Sequence, residues 1–430
     1  MKYNPIPERL FTFNRNTLIN KLKPNSVALI FGAHQMPRNG DQYFPYRQNS
    51  DFFYLTGIEQ EKSALLLFPD SQAEELKEIL FILKPNKALE IWECHKLTLE
   101  EAQSISGIKT VKHLDDFNMI LHNIMCVCEH VYFNLPELQK FKAEVPLRDA
   151  AFLEKIKKDY PTHKYERLAP HIQEMRLIKS ADEKEIIQTA CNITNDAFQR
   201  VLKTIKPGML EYEIEAEITY EFLRKGASGH AYAPIIAGGK NACFLHYIEN
   251  NMTINENELV LMDFGAEYAN YSADLSRTIP ANGTFTSRQK EMYEATLRVF
   301  KFARSLMVPG TTINKYHKEV CKKWEEEHIK LGLYTSADVK NHKGENPLWF
   351  HYFMHGTGHF MGLDVHDVGT RDTELRPGMV ITCEPGLYVE EEGIGIRIEN
   401  DILITEDGNK DLMEHIPIEA EEIEEIMNRG

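Results

Sequence analysis

The sequence predicts an α/β protein of α+β character in two parts: a mixed-sheet α/β domain over residues 1–170, then a second domain of helices and strands over 171–430. Three observations carry this expectation. The chain has 430 residues, more than one hydrophobic core usually supports. Its first third alternates short apolar runs of strand length with polar helical stretches. That pattern weakens into a charged stretch around 140–175, with Pro146, Pro161 and Pro170 spaced through it, and beyond it long amphipathic helices alternate with strands and turns.

In the first domain, Ser26–Phe31, Asp51–Leu55, Ala64–Phe68 and Glu78–Leu83 each have the length and the β-branched or aromatic content of a strand. Pro69-Asp70 and Lys84-Pro85-Asn86 punctuate them as turns, with a short helical segment at Ala73–Lys77. The second domain opens on Ser180-Ala181-Asp182-Glu183, an N-cap with Glu at the capping-box position. Ile186, Ile187, Ala190, Ile193 and Ala197 then form one apolar stripe. Pro207-Gly208 ends that helix, and a second spans Glu211–Arg224. Strands follow from 230, then a helical region at about 288–331, then strands again. Helices followed by an acid-bearing hairpin thus occur twice, the pattern of two related halves.

Composition narrows the function. The formal net charge is −16, from 49 basic and 65 acidic side chains, so phosphate backbones and anionic lipids are repelled at long range. Nucleic acid and membrane are therefore set aside as partners. The first residues, MKYNPIPERLFTFNR, hold no apolar core of a signal peptide, and no stretch approaches the roughly 20 apolar residues of a membrane helix. Cysteines at 94, 126, 128, 191, 243, 321 and 383 are odd in number and irregular in spacing, which argues against a disulfide framework. The expected location is cytoplasmic. The Cys126-x-Cys128 pair reads as part of a buried segment.

The strongest chemical signal is acids placed inside apolar strands. Asp263 ends the run Leu259–Met262, and Asp274 lies just past Tyr271. A hairpin turn centred on Tyr268-Ala269 sets these aspartates opposite each other, about 5 Å apart. Glu384 and Glu399 repeat the arrangement around a turn at Glu391-Glu392, and Arg397 shares the face of Glu399. One such acid reads as a strand end or an arginine partner. Four in two strand pairs are costly to bury without cations.

Met354-His355-Gly356-Thr357-Gly358-His359 supplies imidazoles nearby. Two histidines four apart suggest a zinc helix, but no Glu follows His355, and the glycines disfavour a helix. Strand and turn with close backbone approach fits better. One imidazole with four carboxylates suits hard or borderline divalent ions, manganese first, with cobalt or zinc as substitutes. His113, His163 and His328 read as surface residues. His246, shortly before the first acidic strand, fits a core or surface histidine as well as a catalytic one.

These segments resemble the pita-bread metallopeptidases, aminopeptidase P in particular. The resemblance rests on MDFGAEYANYSADLSRT, FMHGTGHFMGLDVHDVG, GMVITCEPGLY, GIGIRIENDILIT and, in the first domain, FPYRQNSDFFYLTG. It implies a creatinase/aminopeptidase P N-terminal domain followed by a pita-bread (creatinase/aminopeptidase-like) catalytic domain. It implies two metal ions held by Asp263, Asp274, His359, Glu384 and Glu399, with Asp274 and Glu399 bridging. His246 and His366 are implied to bind substrate and stabilise the tetrahedral intermediate, with His355, Arg397 and Tyr388 around the pocket. Asp41 is similar to an acid that some relatives present to a neighbouring subunit, which goes with a homo-oligomer, dimer or tetramer. Glu59-Gln60-Glu61 and the short Tyr388–Gly393 connection depart from the family pattern and bear on substrate preference.

The implied reaction is hydrolysis of an N-terminal Xaa-Pro bond by a hydroxide bridging two metals, with Glu384 carrying the proton to the leaving nitrogen. Two other readings remain at this point. One is a prolidase restricted to Xaa-Pro dipeptides; the other is an inactive peptidase-like binding protein, which the filled ligand positions disfavour.

Overall fold

The computed structural model describes residues 3–88, 90–93, 95–137 and 147–429; Cys94 and Pro146 lie outside them. The chain forms two compact units that divide between Arg176 and Leu177.

The first unit, Asn4–Arg176, is built on a six-stranded mixed sheet. Its central strand Ser26–Phe31 is buried at every position. It pairs antiparallel with Ala64–Leu67 and parallel with His130–Phe133. Glu78–Ile82 continues the sheet antiparallel, and Thr110–His113 and Lys164–Arg167 close its two edges in parallel. One face packs Val27, Leu29, Phe81 and Phe133 against the helix Phe117–Met125. Asp51–Leu55, expected as a strand, lies within the helix Ser50–Thr56. The Asn49 side chain accepts from Phe52 N–H, an N-cap that outweighs the aromatic strand propensity of Phe52, Phe53 and Tyr54. The Cys126-x-Cys128 segment is buried only in part. Cys128 faces the core, while Cys126 and Val127 are exposed at the end of the helix.

The second unit, Leu177–Gly430, repeats two helices and a hairpin. Ala181–Thr204 starts on the Ser180 capping box, and Glu211–Arg224 follows it. The first hairpin comprises Leu259–Phe264 and Leu275–Pro280. In the second half, Ser287–Ser305 and Ile313–Lys330 precede a hairpin made by Val380–Cys383 with Asn400–Thr405 and Gly386–Val389 with Ile394–Arg397. His328, expected at the surface, is buried and stacks on Trp324 with ring centroids 5.1 Å apart. Burial holds its imidazole neutral, down at about 3. His113 and His163 are partly buried, and His163 Nε2 meets the Met125 carbonyl at 2.8 Å. Among the described residues no helix is long and apolar enough to cross a membrane.

Candidate metal centre

The first hairpin departs from the expected register. Asp263 pairs with Ser276, not Asp274, and Tyr268 pairs with Tyr271. The turn is therefore centred on Ala269-Asn270, both at positive φ (51° and 66°), as a tight two-residue hairpin requires. Asn tolerates that conformation, so the turn sits one residue later than direct opposition of the two aspartates requires. Pairing slips by two residues, and because side chains alternate with period two, Asp274 keeps the face of Asp263. Gly265 permits the crossing: a Cβ there would lie 1.7 Å from the Ala273 carbonyl oxygen. Tyr232, absent from the sequence reading, joins the aspartates, its hydroxyl 2.6 Å from Asp263 Oδ1 and 2.5 Å from Asp274 Oδ1.

The second hairpin keeps the expected register: Gly386 faces Arg397 and Cys383 faces Asn400, which brackets Glu384 and Glu399. A β-bridge between Ser276 and Glu399 joins the two hairpins. Glu399 N–H donates to the Ser276 carbonyl (3.1 Å), and Ser276 Oγ donates to Glu399 Oε2 (2.7 Å). The two acidic pairs thereby meet.

The histidine segment forms no regular strand; an irregular loop runs through it, with one bridge from Phe360 to Ile381. Backbone hydrogen bonds from Thr382 N–H to the His359 carbonyl (2.8 Å) and from Glu384 N–H to the Thr357 carbonyl (3.0 Å) dock it on the acidic strand. Gly358 allows this approach, since a Cβ there would stand 2.1 Å from the Thr382 oxygen. His359 Nδ1 lies 3.0 Å from the Phe360 carbonyl, which assigns the proton to Nδ1. The Nε2 lone pair is left facing Asp274 Oδ2 at 3.4 Å. An imidazole oriented by a backbone carbonyl on one nitrogen, with the other bare, is the arrangement of a metal ligand.

Donor atoms of Asp274, His359 and Glu399 lie within 4.8 Å of one another. Asp263 and Glu384 line the same cleft, which encloses about 300 Å³. Burial, with the Asp263 charge beside it, raises the Asp274 carboxyl well above its ordinary value. Glu399 is raised in the same way by burial and then Asp274. Burial, followed by Glu399, pushes Glu384 up to about 8. Arg397, the one arginine lining the cleft among the described residues, donates to Asp263 Oδ2 at 2.6 Å. One guanidinium against four carboxylates leaves an excess negative charge that divalent cations would offset. The donor set fits two such ions.

A hydrogen-bond chain lines the other wall. Arg397 donates to Ser276 Oγ (2.9 Å) and to the Tyr388 hydroxyl (2.9 Å), and Tyr388 donates to His355 Nε2 (2.8 Å). His355 Nδ1 faces the Gly356 carbonyl at 2.7 Å, so this ring is a neutral tautomer. Burial, then Arg397, keeps its pKa down at about 3. His366 stands edge-on to His359, centroids 4.3 Å apart, and His246 lies exposed on the cleft wall. Asp41 belongs to the other unit, exposed beside Gly40 in the short hairpin of Pro37–Asn39 and Gln42–Tyr43. Two further groups escaped the sequence reading. Ser276 stood inside a quoted segment and in register with Asp263. Buried Asp401, two residues beyond Glu399, accepts from Asp274 N–H at 3.0 Å.

Residues 185–406 match the model of metallopeptidase family M24, and residues 11–132 match that of the aminopeptidase P N-terminal domain. The chain belongs to metallopeptidase family M24. It is a metal-dependent aminopeptidase of that family, with the pita-bread fold. Curated relatives of this M24 chain include the Xaa-Pro aminopeptidases of Haemophilus influenzae, 37% identical, and of Escherichia coli, 36% identical. Each alignment covers 98% of both chains. The solved structure of Escherichia coli aminopeptidase P with the inhibitor Pro-Leu is 35% identical, covers 99% of both chains and superposes with a TM-score of 0.87. Another structure of that enzyme is zinc-substituted, with product bound.

Proposed function

We propose that this M24 aminopeptidase removes the N-terminal residue from peptides with proline second, using two divalent ions held by Asp263, Asp274, His359, Glu384 and Glu399. The observation that carries the reading is the convergence of three ligand atoms within 4.8 Å, with two more carboxylates on the same cleft. Relatives named Xaa-Pro aminopeptidase over the full chain length support the substrate class. When bound, the ions would supply an activated water and polarise the scissile carbonyl.

The chain's own residues do the rest. Glu384, on the cleft beside the water the ions would activate, takes up the proton that water gives up and passes it to the proline nitrogen as the peptide bond breaks. His246 and His366 donate to the oxygen that gains charge. His355, Tyr388 and Arg397 form one hydrogen-bonded wall that receives the substrate next to Asp263. Manganese is the preferred ion because four carboxylates and one imidazole make an oxygen-rich shell. The scattered cysteines suit a cytoplasmic setting, and Asp41 completes a neighbour's site in a homo-oligomer.

A manganese-supplemented assay comparing Arg-Pro-Pro with Gly-Pro tests this reading. Cleavage of the tripeptide supports it; cleavage of the dipeptide alone assigns a prolidase. Full activity in chelated, metal-free protein refutes the metal assignment.

A further inference from the structure

We propose that Glu211 is a positioning residue for His246. The inference rests on the reading of His246 as a substrate-binding residue and adds how the fold holds it there. His246 lies in a segment with no regular strand or α-helix between Gly238 and Met252. That segment leaves the strand Ile235–Gly238, which pairs with the Asp263 strand. A single short 3-10 turn, Gly239–Cys243, is its only regular structure, so its shape must come from elsewhere.

One carboxylate supplies four of its anchoring contacts. Glu211, the first residue of its helix and 1% exposed, accepts four hydrogen bonds, all from this segment. Its Oε1 takes Gly238 N–H at 2.8 Å and Asn241 Nδ2 at 3.0 Å. Its Oε2 takes the Tyr247 hydroxyl at 2.6 Å and Met252 N–H at 2.9 Å. Two donors lie before His246 and two after, so the carboxylate clips the base of the loop closed. The Glu211 backbone N–H also donates to the Met252 carbonyl at 3.0 Å. One turn along the same helix face, Glu215 accepts from Asn250 Nδ2 at 2.9 Å.

A buried carboxylate satisfied by four donors is stable only while all four are in place, which makes the loop geometry all-or-none. His246 itself sits exposed on the cleft wall. Its imidazole is aimed by the segment it stands on, and the residue beside it, Tyr247, is anchored on Glu211.

The test is a double-mutant cycle on manganese-loaded enzyme, with kcat and KM on an Xaa-Pro tripeptide and metal content measured for every variant. Glu211→Gln is expected to keep its metals and lose about 10- to 100-fold in kcat/KM. Tyr247→Phe deletes one of the four contacts without changing shape, guards against misfolding of the first variant, and is expected to lose several-fold. In a His246→Ala background both substitutions should change kcat/KM by less than about 2-fold, because the segment then presents nothing to the substrate. If His246→Ala alone matches the parent, the reading of His246 falls and this inference with it. If His246→Ala is impaired but the Glu211 and Tyr247 variants are not, or if their losses multiply with it, the positioning role alone is overturned.

Discussion

Tyr232 and Glu384 act on the same cleft in different ways. Tyr232 shares one hydroxyl between Asp263 and Asp274, and burial, reinforced by those two charges, holds its proton far above the ordinary tyrosine range. A hydroxyl shared in this way is placed to orient the two proposed ligands. Tyr232→Phe should therefore weaken metal binding about 10-fold, read as the metal concentration giving half-maximal activity, with near-normal kcat at saturation. An unchanged metal requirement would refute that role. In the proposed reaction Glu384, on the cleft wall, relays a proton from the activated water to the leaving nitrogen. Glu384→Gln should lower kcat on the order of 10³-fold and leave KM within a few-fold. Steady-state kinetics on a variant with measured metal content decides it, and a variant within 10-fold of the parent would remove Glu384 from the chemistry.

At the scale of elements, the first hairpin carries two of the proposed ligands, Asp263 and Asp274, and depends on the close crossing at Gly265. Nothing larger fits, because an added Cβ would meet the Ala273 carbonyl, which is backbone and cannot rotate away. Gly265→Ala should cost about 3 kcal/mol of unfolding free energy and should lower metal affinity as well, since Asp274 follows Ala273 directly. Chemical denaturation with a metal titration measures both, and a variant as stable as the parent would show that the crossing tolerates separation. This hairpin was also the least legible part of the site. Setting Asp263 directly opposite Asp274 placed its turn one residue early, because Ala269 and Asn270 take the left-handed conformation of the turn. The second hairpin was legible in full: its spacing alone aligned Glu384 with Glu399. In the first unit, local capping by Asn49 outweighed the aromatic content that had suggested a strand at Asp51–Leu55.

Across the whole molecule, the cleft couples metal, protons and stability. In the metal-free chain Asp274, Glu384 and Glu399 all have folded-state values above their unfolded ones, with Glu384 at about 8. Above roughly pH 4, unfolded carboxyls have lost their protons while these folded ones retain them. The folded state then binds more protons than the unfolded state, so stability falls as pH rises toward about 8. Bound metal replaces those protons and removes the penalty. His328 works in the opposite sense: its folded value lies at about 3, so stability is lost as pH falls below its ordinary value. That loss is common to both forms and cancels in their difference. The gap in Tm between manganese-loaded and chelated protein should therefore widen from pH 5 to pH 8, measured calorimetrically. A gap independent of pH would contradict the buried acidic cluster.

Periodicity, caps and composition are local properties, and from them the sequence by itself determined the mixed-sheet first domain, the first helix pair and the two acid-bearing strand pairs; the single helical region read at about 288–331 is two helices. A capping box at Ser180 or an acid inside an apolar strand has one cheap structural solution, and neighbouring residues suffice to specify it. Only the tertiary structure decided what lies between those elements. The bridge from Ser276 to Glu399 joins hairpins more than 100 residues apart, Tyr232 reaches back to both aspartates, Glu211 gathers the His246 loop, and His328 goes into the core. Each of these is a contact across sequence distance, set by which surfaces pack together, and no local pattern encodes it.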